Sequence, residues 1–482
     1  MTQSRYAPRH INRFRRPLLR TTNAAAVVVG ACVLVAVLPL LGWPRPATAL
    51  VGLVALGTTL GLVTAPPTSA LKWGVLPHGG RRGWAVTMVL AMSPAILLGL
   101  AFPVVAGRVS AHSAGGVNLQ VIILSVSVAV PWLSQVTGNP VYRLLGDSIG
   151  RGPAALLRRY CSVWPALFAW ALVPTLAVVL VMAAVTRWQP AAVAVHLVLL
   201  LLHVVFVQSL IVADVAGRRR LWAFGWLCYA AALLAAPGWW FLPPLAGTLS
   251  QVVPMGAALR QLVRPSPVPA VPLLQDMARG MVLGGVLWSD KFFLFLAVRQ
   301  DFEVALVYLC LQPAVVAYCY YFAVTSPRLN TEIALFQAQL NEDDMTGLRA
   351  RGKVLRHLLD ASLVRAGSVG AGAVVVEVTV VALLDPARVP LVLAVASSSL
   401  LFTVLTLLSY EIDHIGDQAS ALLLSGAHVA AAAGLLLHLG GTGAYQVLVG
   451  VDLVLCLVAL VVYRRRWASP EYSFFWGKAM SW

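Results

Sequence analysis

The chain has 482 residues, of which 60% are apolar and only 11% are charged. A soluble domain carries about a quarter charged residues, so this composition excludes an ordinary water-exposed surface. The formal net charge of +17 would favour nucleic-acid binding in a soluble protein. In a membrane protein the same excess of Lys and Arg is typical of cytoplasmic loops, and we therefore expect no nucleic-acid partner.

Apolar segments long enough to cross a bilayer recur from one end of the chain to the other, about 14 in all. Each predicts a transmembrane helix, so the expected fold class is an all-α polytopic membrane protein. Prolines interrupt 221–240 and 242–264, which could be two short spans or one span plus a re-entrant piece. In chain order the segments are 24–43, 47–65, 84–106, 117–137, 161–185, 190–216, 221–240, 242–264, 276–298, 303–326, 367–385, 389–411, 419–438 and 444–463.

The distribution of basic residues supports these segments. If the N-terminus is cytoplasmic and every segment spans, nearly all Lys and Arg residues fall in the two tails and in the loops on the cytoplasmic side. The positive-inside rule expects this asymmetry. We therefore predict a protein of the cytoplasmic (inner) membrane with both termini in the cytoplasm. The exceptions are Lys291 near the middle of a span and, on the opposite side, Arg45, Arg108, Arg187, Arg299 and Arg388, whereas Arg260, Arg264 and Arg279 lie near the cytoplasmic ends of their spans.

Two predicted cytoplasmic stretches, 138–160 and 328–365, are longer than turns and mix basic with apolar residues. We interpret each as an amphipathic helix on the cytoplasmic leaflet, where Lys and Arg meet anionic membrane lipids. A docking surface for a cytoplasmic partner is the alternative. The residues expected to make these lipid or partner contacts are Arg143, Arg158, Arg159, Glu332, Arg349, Arg351 and Lys353.

An adjacent acid–base pair, Asp290 and Lys291, lies near the middle of a predicted span. An ionised side chain at mid-bilayer costs about 2.5–3.5 kcal/mol or more, so each such charge is expected to have a structural or functional role. Adjacent helical residues point about 100° apart, so at least one must face the protein interior or an aqueous cavity. The pair either locks helix packing or belongs to a transport pathway, which the bulky neighbours Trp288, Phe292 and Phe295 would line.

Four further polar residues lie within predicted spans. Glu377 and Asp452 are single carboxylates. His196 and His203 lie on nearly one face of a helix but are separated by roughly 10 Å along its axis, too far for one metal ion. The histidines are interpreted as interior polar contacts or as pathway lining, the carboxylates are candidates for the pathway, and no metal site is expected.

The sequence lacks the motifs of several catalytic classes. There is no complete GxxxxGK[ST] phosphate loop and no HExxH zinc motif. The six cysteines form no CxxC motif and fall in or beside apolar segments, where we expect buried apolar residues. We therefore expect neither an enzyme nor a cofactor, and movement of a substrate across the membrane is the best generic function.

The span 276–298 carries a resemblance to a known family. It contains the run Trp288-Ser-Asp290-Lys291-Phe292-Phe-Leu-Phe295. This run resembles the Trp-x-Asp-Lys-Trp-x-x-x-Trp/Phe helix of PelG, the multi-spanning subunit of Pel exopolysaccharide export.

Two neighbouring elements extend the resemblance. The next span has a central proline, Pro313, as in that family, and the run Thr331-Glu332-Ile-Ala-Leu-Phe336 is similar to the family's entry into a long cytoplasmic helix. PelG-like proteins are related to the multidrug/oligosaccharidyl-lipid/polysaccharide (MOP) flippase superfamily, whose fold pairs two six-helix lobes around a central cavity.

The resemblance implies a division of the chain into four parts. A basic N-terminal tail and an extra helix pair occupy 1–83, and the first six-helix lobe occupies 84–275. The second lobe occupies 276–466, with a cytoplasmic amphipathic insertion at 328–365, and a cytoplasmic tail follows over 467–482.

Three functions are compatible with these features. The resemblance implies export of an exopolysaccharide across the cytoplasmic membrane, together with a cytoplasmic glycosyltransferase. A second possibility is an ion-coupled flippase for a lipid-linked oligosaccharide or a drug, in which Asp290, Glu377 or Asp452 binds a proton or Na⁺. A third is a scaffold that does not transport and that anchors a polysaccharide synthase through the amphipathic stretches.

Overall fold

The computed structural model of the chain describes residues 87–146, 148, 152–216, 218–298, 310–340, 345–439 and 441–479. The predicted first two spans, 24–43 and 47–65, lie outside these residues. The described chain is almost entirely helical. A short antiparallel hairpin, β1 (Ser113–Ala114) with β2 (Val117–Asn118), accounts for its strands.

The helices follow one another with short connections. In chain order they are α1 (Ser93–Ser110), α2 (Leu119–Gly146), α3 (Pro153–Thr186), α4 (Pro190–Val215), α5 (Arg219–Ala235), α6 (Leu242–Val252), α7 (Ala270–Val298), α8 (Gln312–Tyr320), α9 (Ser326–Gln339), α10 (Met345–Leu384), α11 (Val389–His414), α12 (Gln418–His438), α13 (Gly441–Arg466) and α14 (Pro470–Ala479). A 3₁₀ helix follows α6 at Val253–Val263, another precedes α11 at Pro386–Arg388, and a π-helical turn at Tyr321–Thr325 joins α8 to α9.

Eight of the described helices are long and apolar enough to cross a membrane, namely α2, α3, α4, α7, α10, α11, α12 and α13. The two halves of α1 meet at 59° and become a ninth if they form one broken span. Only 22% of the most apolar window of α3 is buried, and Val173 and Leu180 on it are largely exposed. Such surface is suited to lipid rather than to water. The predicted class, an all-α multi-pass membrane protein, is confirmed.

The proline-rich region 221–264 forms separate helices. α5 has 17 residues and α6 has 11, and each is shorter than the roughly 20 residues that span a bilayer. Pro243 and Pro244 lie in the first turn of α6, where the missing amide protons break no helical hydrogen bond. α6 passes into the 3₁₀ helix, where Gly256 has a φ of 52° and interrupts the helical path. α5 and α6 pack against each other.

The two predicted amphipathic stretches are continuous with longer helices, which differs from our expectation of separate surface helices. The first is divided between the end of α2 and the start of α3. The second forms α9 and the beginning of α10. Because α10 has 40 residues, it is about 60 Å long, roughly twice the thickness of the hydrocarbon core. One end of α10 must therefore extend well beyond the membrane.

The chain forms two compact units. The described residues of the first unit lie within 89–298 and 422–444, and those of the second lie within 87–88, 310–421 and 445–479. In the first unit α7 packs along α2, and α4 packs against α2 and α6. In the second unit α10 packs against α8 and α11. The sequence-derived lobes, 84–275 and 276–466, stay a prediction.

The buried core of the first unit is rich in aromatic rings. Phe206 of α4 contacts Trp226 and Tyr229 of α5, with ring centroids 4.9 and 5.8 Å apart. Val105 and Val109 of α1 complete this cluster. Leu119 at the start of α2 also belongs to the cluster, which packs α1, α2, α4 and α5 against one another.

Candidate functional site

The helix that carries the acid–base pair, α7, makes a very close approach to α2. A Cβ atom added at Gly280 would lie 2.4 Å from the carbonyl oxygen of Gln135, and one at Gly284 would lie 2.4 Å from the Cβ of Gln135. Glycines four residues apart allow membrane helices to pack this closely. The indole N–H of Trp132 on α2 also donates a 2.8 Å hydrogen bond to the carbonyl oxygen of Met281. These contacts hold α7 in one position against α2.

Asp290 and Lys291 are both buried inside the first unit and bind each other. Their side chains are 0% and 2% exposed, and Lys291 Nζ lies 2.6 Å from Asp290 Oδ2. Two charges in a low-polarity interior offset their desolvation only if they stay close and hydrogen-bonded. The pair is therefore neutral as a unit, and either charge can move only if this bond is broken or exchanged for another.

Aromatic residues flank the pair along α7. Trp132 packs edge-on against Phe292 and Phe293, with ring centroids 5.7 and 6.0 Å apart. Phe295 is 1% exposed, and Trp288 is half-buried. Trp132 does not stand out in the sequence, because its role depends on contact with a helix more than a hundred residues further along the chain.

The two histidines of α4 contact different helices. His196 Nδ1 lies 2.9 Å from Ser125 Oγ on α2. His203 Nδ1 lies 2.7 Å from the carbonyl oxygen of Leu199, so this nitrogen carries the proton. In the neutral ring Nε2 then accepts from the Tyr229 hydroxyl on α5, at 3.0 Å. Both side chains thus hold α4 to its neighbours.

The carboxylates Glu377 and Asp452 lie in the second unit. Glu377 on α10 is 8% exposed and Asp452 on α13 is fully buried. Ser398 Oγ on α11 donates a 3.2 Å hydrogen bond to Asp452 Oδ2. An acidic group in a membrane-spanning helix is a candidate for a functional site.

Arg143, which was expected to contact lipid or a partner, binds within the chain. It lies near the end of α2 and its guanidinium donates to the carboxylate of Asp276 on α7. Asp276 does not stand out in the sequence because it is the first residue of a predicted span. Arg158 is exposed and Arg159 is half-buried, both in the first turns of α3.

The C-terminal helix α14 packs on the extension of α10. Arg349 Nη2 donates to the Tyr472 hydroxyl at 2.7 Å, and its Nε lies 4.0 Å from Glu471 Oε1. Arg349 therefore has intrachain partners. The remaining predicted contact residues are the half-buried Glu332 of α9 and the exposed Arg351 and Lys353 of α10.

Sequence reasoning missed one buried acid. Glu411 in the last turn of α11 is 1% exposed and accepts a hydrogen bond from the Tyr321 hydroxyl. It stands at the end of a predicted span beside Asp413 and His414, a pattern typical of a membrane boundary. Only the fold brings Tyr321 against it.

No protein-family model matches the chain, and no curated protein matches it. Among solved structures it is similar to the outward-facing conformation of a multidrug resistance MATE family transporter of the MOP superfamily. The identity is 13% and the TM-score is 0.50, over 82% of this chain and 98% of that chain. The chain has a MATE-type fold. The inward-facing conformation of a multidrug resistance MATE family transporter matches with 14% identity and a TM-score of 0.46, over 80% of this chain and 96% of that chain.

The MATE-type fold bears on the family resemblance found in the sequence. A fold of the MOP superfamily is what that resemblance implied, and at the level of the fold this prediction is confirmed. The closer similarity to PelG stays a prediction.

Proposed function

We propose that this chain is a membrane transporter that exports an exopolysaccharide across the cytoplasmic membrane, together with a cytoplasmic glycosyltransferase. Its MATE-type fold supports transport. The observation that carries the proposal is the Asp290–Lys291 pair, whose charges are held 2.6 Å apart within a membrane-spanning helix. The pair also lies in the run of α7 that resembles the PelG helix.

The chemistry of the pair suits a sugar polymer. A sugar hydroxyl can donate to the Asp290 carboxylate, and another can accept from the Lys291 ammonium. The pair can therefore exchange its mutual bond for bonds to hydroxyl groups, and neither charge is left buried without a partner. The aromatic rings of Trp288 and Phe292 add apolar surface for the faces of sugar rings.

Deletion of the gene with assay of secreted polysaccharide tests this proposal. We expect the deletion to remove the polymer and the wild-type gene to restore it. Asp290→Asn and Lys291→Met should each reduce secretion at equal amounts of inserted, folded protein. The matched control is Asp385→Asn, which breaks an exposed ion pair with Arg388. Normal secretion by both α7 variants would remove the pair from the transport pathway.

The extension of α10 offers a surface for the glycosyltransferase. Arg351 and Lys353 are exposed there, whereas Arg349 is engaged by α14. We expect Arg351→Glu combined with Lys353→Glu to reduce copurification with a glycosyltransferase encoded beside this gene, and Arg388→Glu to leave it unchanged. If polymer secretion needs this surface but not the α7 pair, a scaffold that does not transport is the better account.

An ion-coupled flippase for a lipid-linked oligosaccharide or a drug is the second candidate, and buried carboxylates in three membrane-spanning helices favour it. Asp290, Glu377 and Asp452 would then bind the proton or Na⁺. In proteoliposomes we expect collapse of the ion gradient, or Asp290→Asn, Glu377→Gln or Asp452→Asn, to stop uphill transport under this alternative. Transport that proceeds without any gradient would count against it.

A further inference from the structure

The last turn of α11 holds a buried carboxylate with one unsatisfied oxygen. Glu411 Oε1 accepts from the Tyr321 hydroxyl. Within the part of the chain that the structure describes, Glu411 Oε2 has no hydrogen-bond partner, and neither has Nδ1 of His414. These two atoms lie 3.8 Å apart and approach each other from successive turns of α11. At 3.8 Å the two atoms do not form a hydrogen bond, and a proton on either one would give it a donor to offer the other.

Among the described residues, no lysine or arginine lies within ion-pair distance of this carboxylate. His414 is the only basic group within 4.0 Å of Glu411 among the described residues. On α11 itself the neighbouring titratable groups are Tyr410 and Asp413. Trp467, after α13, donates its indole N–H to the backbone carbonyl oxygen of Glu411 at 3.0 Å and leaves the carboxylate untouched.

The charged groups on α10 are directed to other partners. The Tyr463 hydroxyl of α13 is near enough to interact with Glu411 but donates its hydrogen bond at 2.8 Å to Asp360, and Arg356 interacts with Tyr463. Arg365 interacts with Tyr320 at the end of α8. A carboxylate taken out of water without a cation is costly, and binding a proton removes that cost.

We propose that Glu411 and His414 form a proton-binding site, in which one proton is held between Glu411 Oε2 and His414 Nδ1. The step is an acid–base equilibrium with water. Binding turns the carboxylate into an acid that donates to the imidazole, and release leaves a carboxylate that keeps the Tyr321 hydroxyl as its donor. The His414 side chain is 27% exposed, which gives the proton a route to solvent.

The site is connected to the backbone of the neighbouring helix. Tyr321 is the first residue of the π-helical turn Tyr321–Thr325, and π turns are rare and frequent at functional sites. A hydrogen bond to an ionised carboxylate is about twice as strong as one to a neutral group. Release of the proton should therefore hold Tyr321 more firmly and favour the π turn, whereas binding should loosen it.

Infrared difference spectroscopy of the full chain in nanodiscs, recorded during a pH titration, tests the site. We expect the carbonyl band of a protonated carboxylic acid to titrate in the wild type and to be missing in Glu411→Gln. Asp417→Asn is the matched control, because Asp417 is paired with Arg466 at 2.6 Å and should not contribute to the band above pH 3.8. An unchanged band in Glu411→Gln, or no titrating band in the wild type, would overturn the proposal.

Tyr321→Phe provides a second variant that keeps the acid and removes its donor. We expect the carbonyl band to remain and to move to higher frequency. The rate of backbone hydrogen exchange in the π turn, corrected for intrinsic rates, should depend on the protonation state of Glu411 in the wild type. This dependence should be lost in Glu411→Gln. An unshifted band in Tyr321→Phe would show that Glu411 does not bind Tyr321. Neither readout needs a transport substrate, so failure of polysaccharide export leaves this inference standing.

Discussion

At the scale of single residues, the protein places several charges where lipid or packed side chains exclude water. Asp290 and Lys291 are held as a buried pair on one helix, whereas Asp276 is paired with Arg143 of another helix, whose side chain is 41% exposed. Removal of one partner of a buried pair is costly because the other charge loses its counterion, while removal of both can be nearly neutral. The difference between the cost of replacing one partner and the cost of replacing both therefore distinguishes a buried ion pair from an exposed one.

The α7 pair should show this asymmetry in stability. We expect Asp290→Asn or Lys291→Met alone to destabilise the protein by about 3–5 kcal/mol, and the double variant to recover most of the loss. Thermal unfolding in detergent measures both effects. Asp385→Asn, in the exposed pair with Arg388, should cost less than about 1 kcal/mol. A double variant less stable than either single variant would contradict this account.

Asp417, in the turn between α11 and α12, should make stability depend on pH. Partial burial alone would raise the pKa of its carboxyl, but hydrogen bonds from Ser420 and Arg466 outweigh it and hold the pKa below the ordinary value of 3.8. A depressed pKa in the folded state contributes stability above the unfolded value, and this contribution is lost as pH falls through the folded value. The difference in melting temperature between wild type and Asp417→Asn should therefore be constant above pH 3.8 and shrink below it. A difference that persists in acid would refute the assignment.

At the scale of elements, glycines decide how closely α2 and α7 pack. The backbone of Gln135 occupies the space that a side chain at Gly280 would need. Because backbone atoms cannot rotate away as a side chain can, the helices themselves would have to separate. The position of the α7 pair against α2 therefore depends on a residue ten positions away from it.

Gly280→Ala tests this packing. We expect a loss of about 1–3 kcal/mol, as is usual when a packed contact is overfilled. Gly434→Ala on α12 is the matched control, because nothing lies within 4 Å of the added methyl group. There alanine should be neutral or should stabilise the helix by about 0.5–1 kcal/mol. Equal stability of the two variants would argue against the close approach, and both are measured by thermal unfolding.

At the scale of the whole molecule, the distribution of basic residues predicts the orientation in the membrane. It places the extension of α10 and both termini in the cytoplasm and the 3₁₀ turn before α11 on the opposite side. Arg351 is exposed, and the side chain of Asp385 is 48% exposed. They are therefore suitable places for a topological label.

Single cysteines introduced after replacement of the six native ones measure the orientation. In intact cells a membrane-impermeant maleimide should label Asp385→Cys, whereas Arg351→Cys should react only after permeabilisation. Labelling of Arg351→Cys from outside would reverse the predicted topology, and labelling of both from one side would show that α10 does not span.

The sequence by itself determined the fold class and the place of the most unusual charges. Lipid is a solvent that every spanning helix must match locally, so runs of apolar residues and an interrupting pair such as Asp290–Lys291 are visible without any knowledge of packing. For this reason seven of the described helices match predicted segments within a few residues, namely α2, α3, α4, α7, α11, α12 and α13. The exceptions are one end each of α2, α3 and α7, which extend further than predicted.

Only the tertiary structure decided which polar residues meet. In three such contacts the two residues lie far apart along the chain: Arg143 with Asp276, Ser125 with His196, and Tyr321 with Glu411. Their contacts depend on how helices rotate and cross, and hydrophobic periodicity in lipid carries little information about that because all faces of a spanning helix are apolar. The continuity of α10 beyond the membrane was hidden for a similar reason, since a helix that leaves the membrane loses its apolar pattern while its hydrogen bonds continue unbroken.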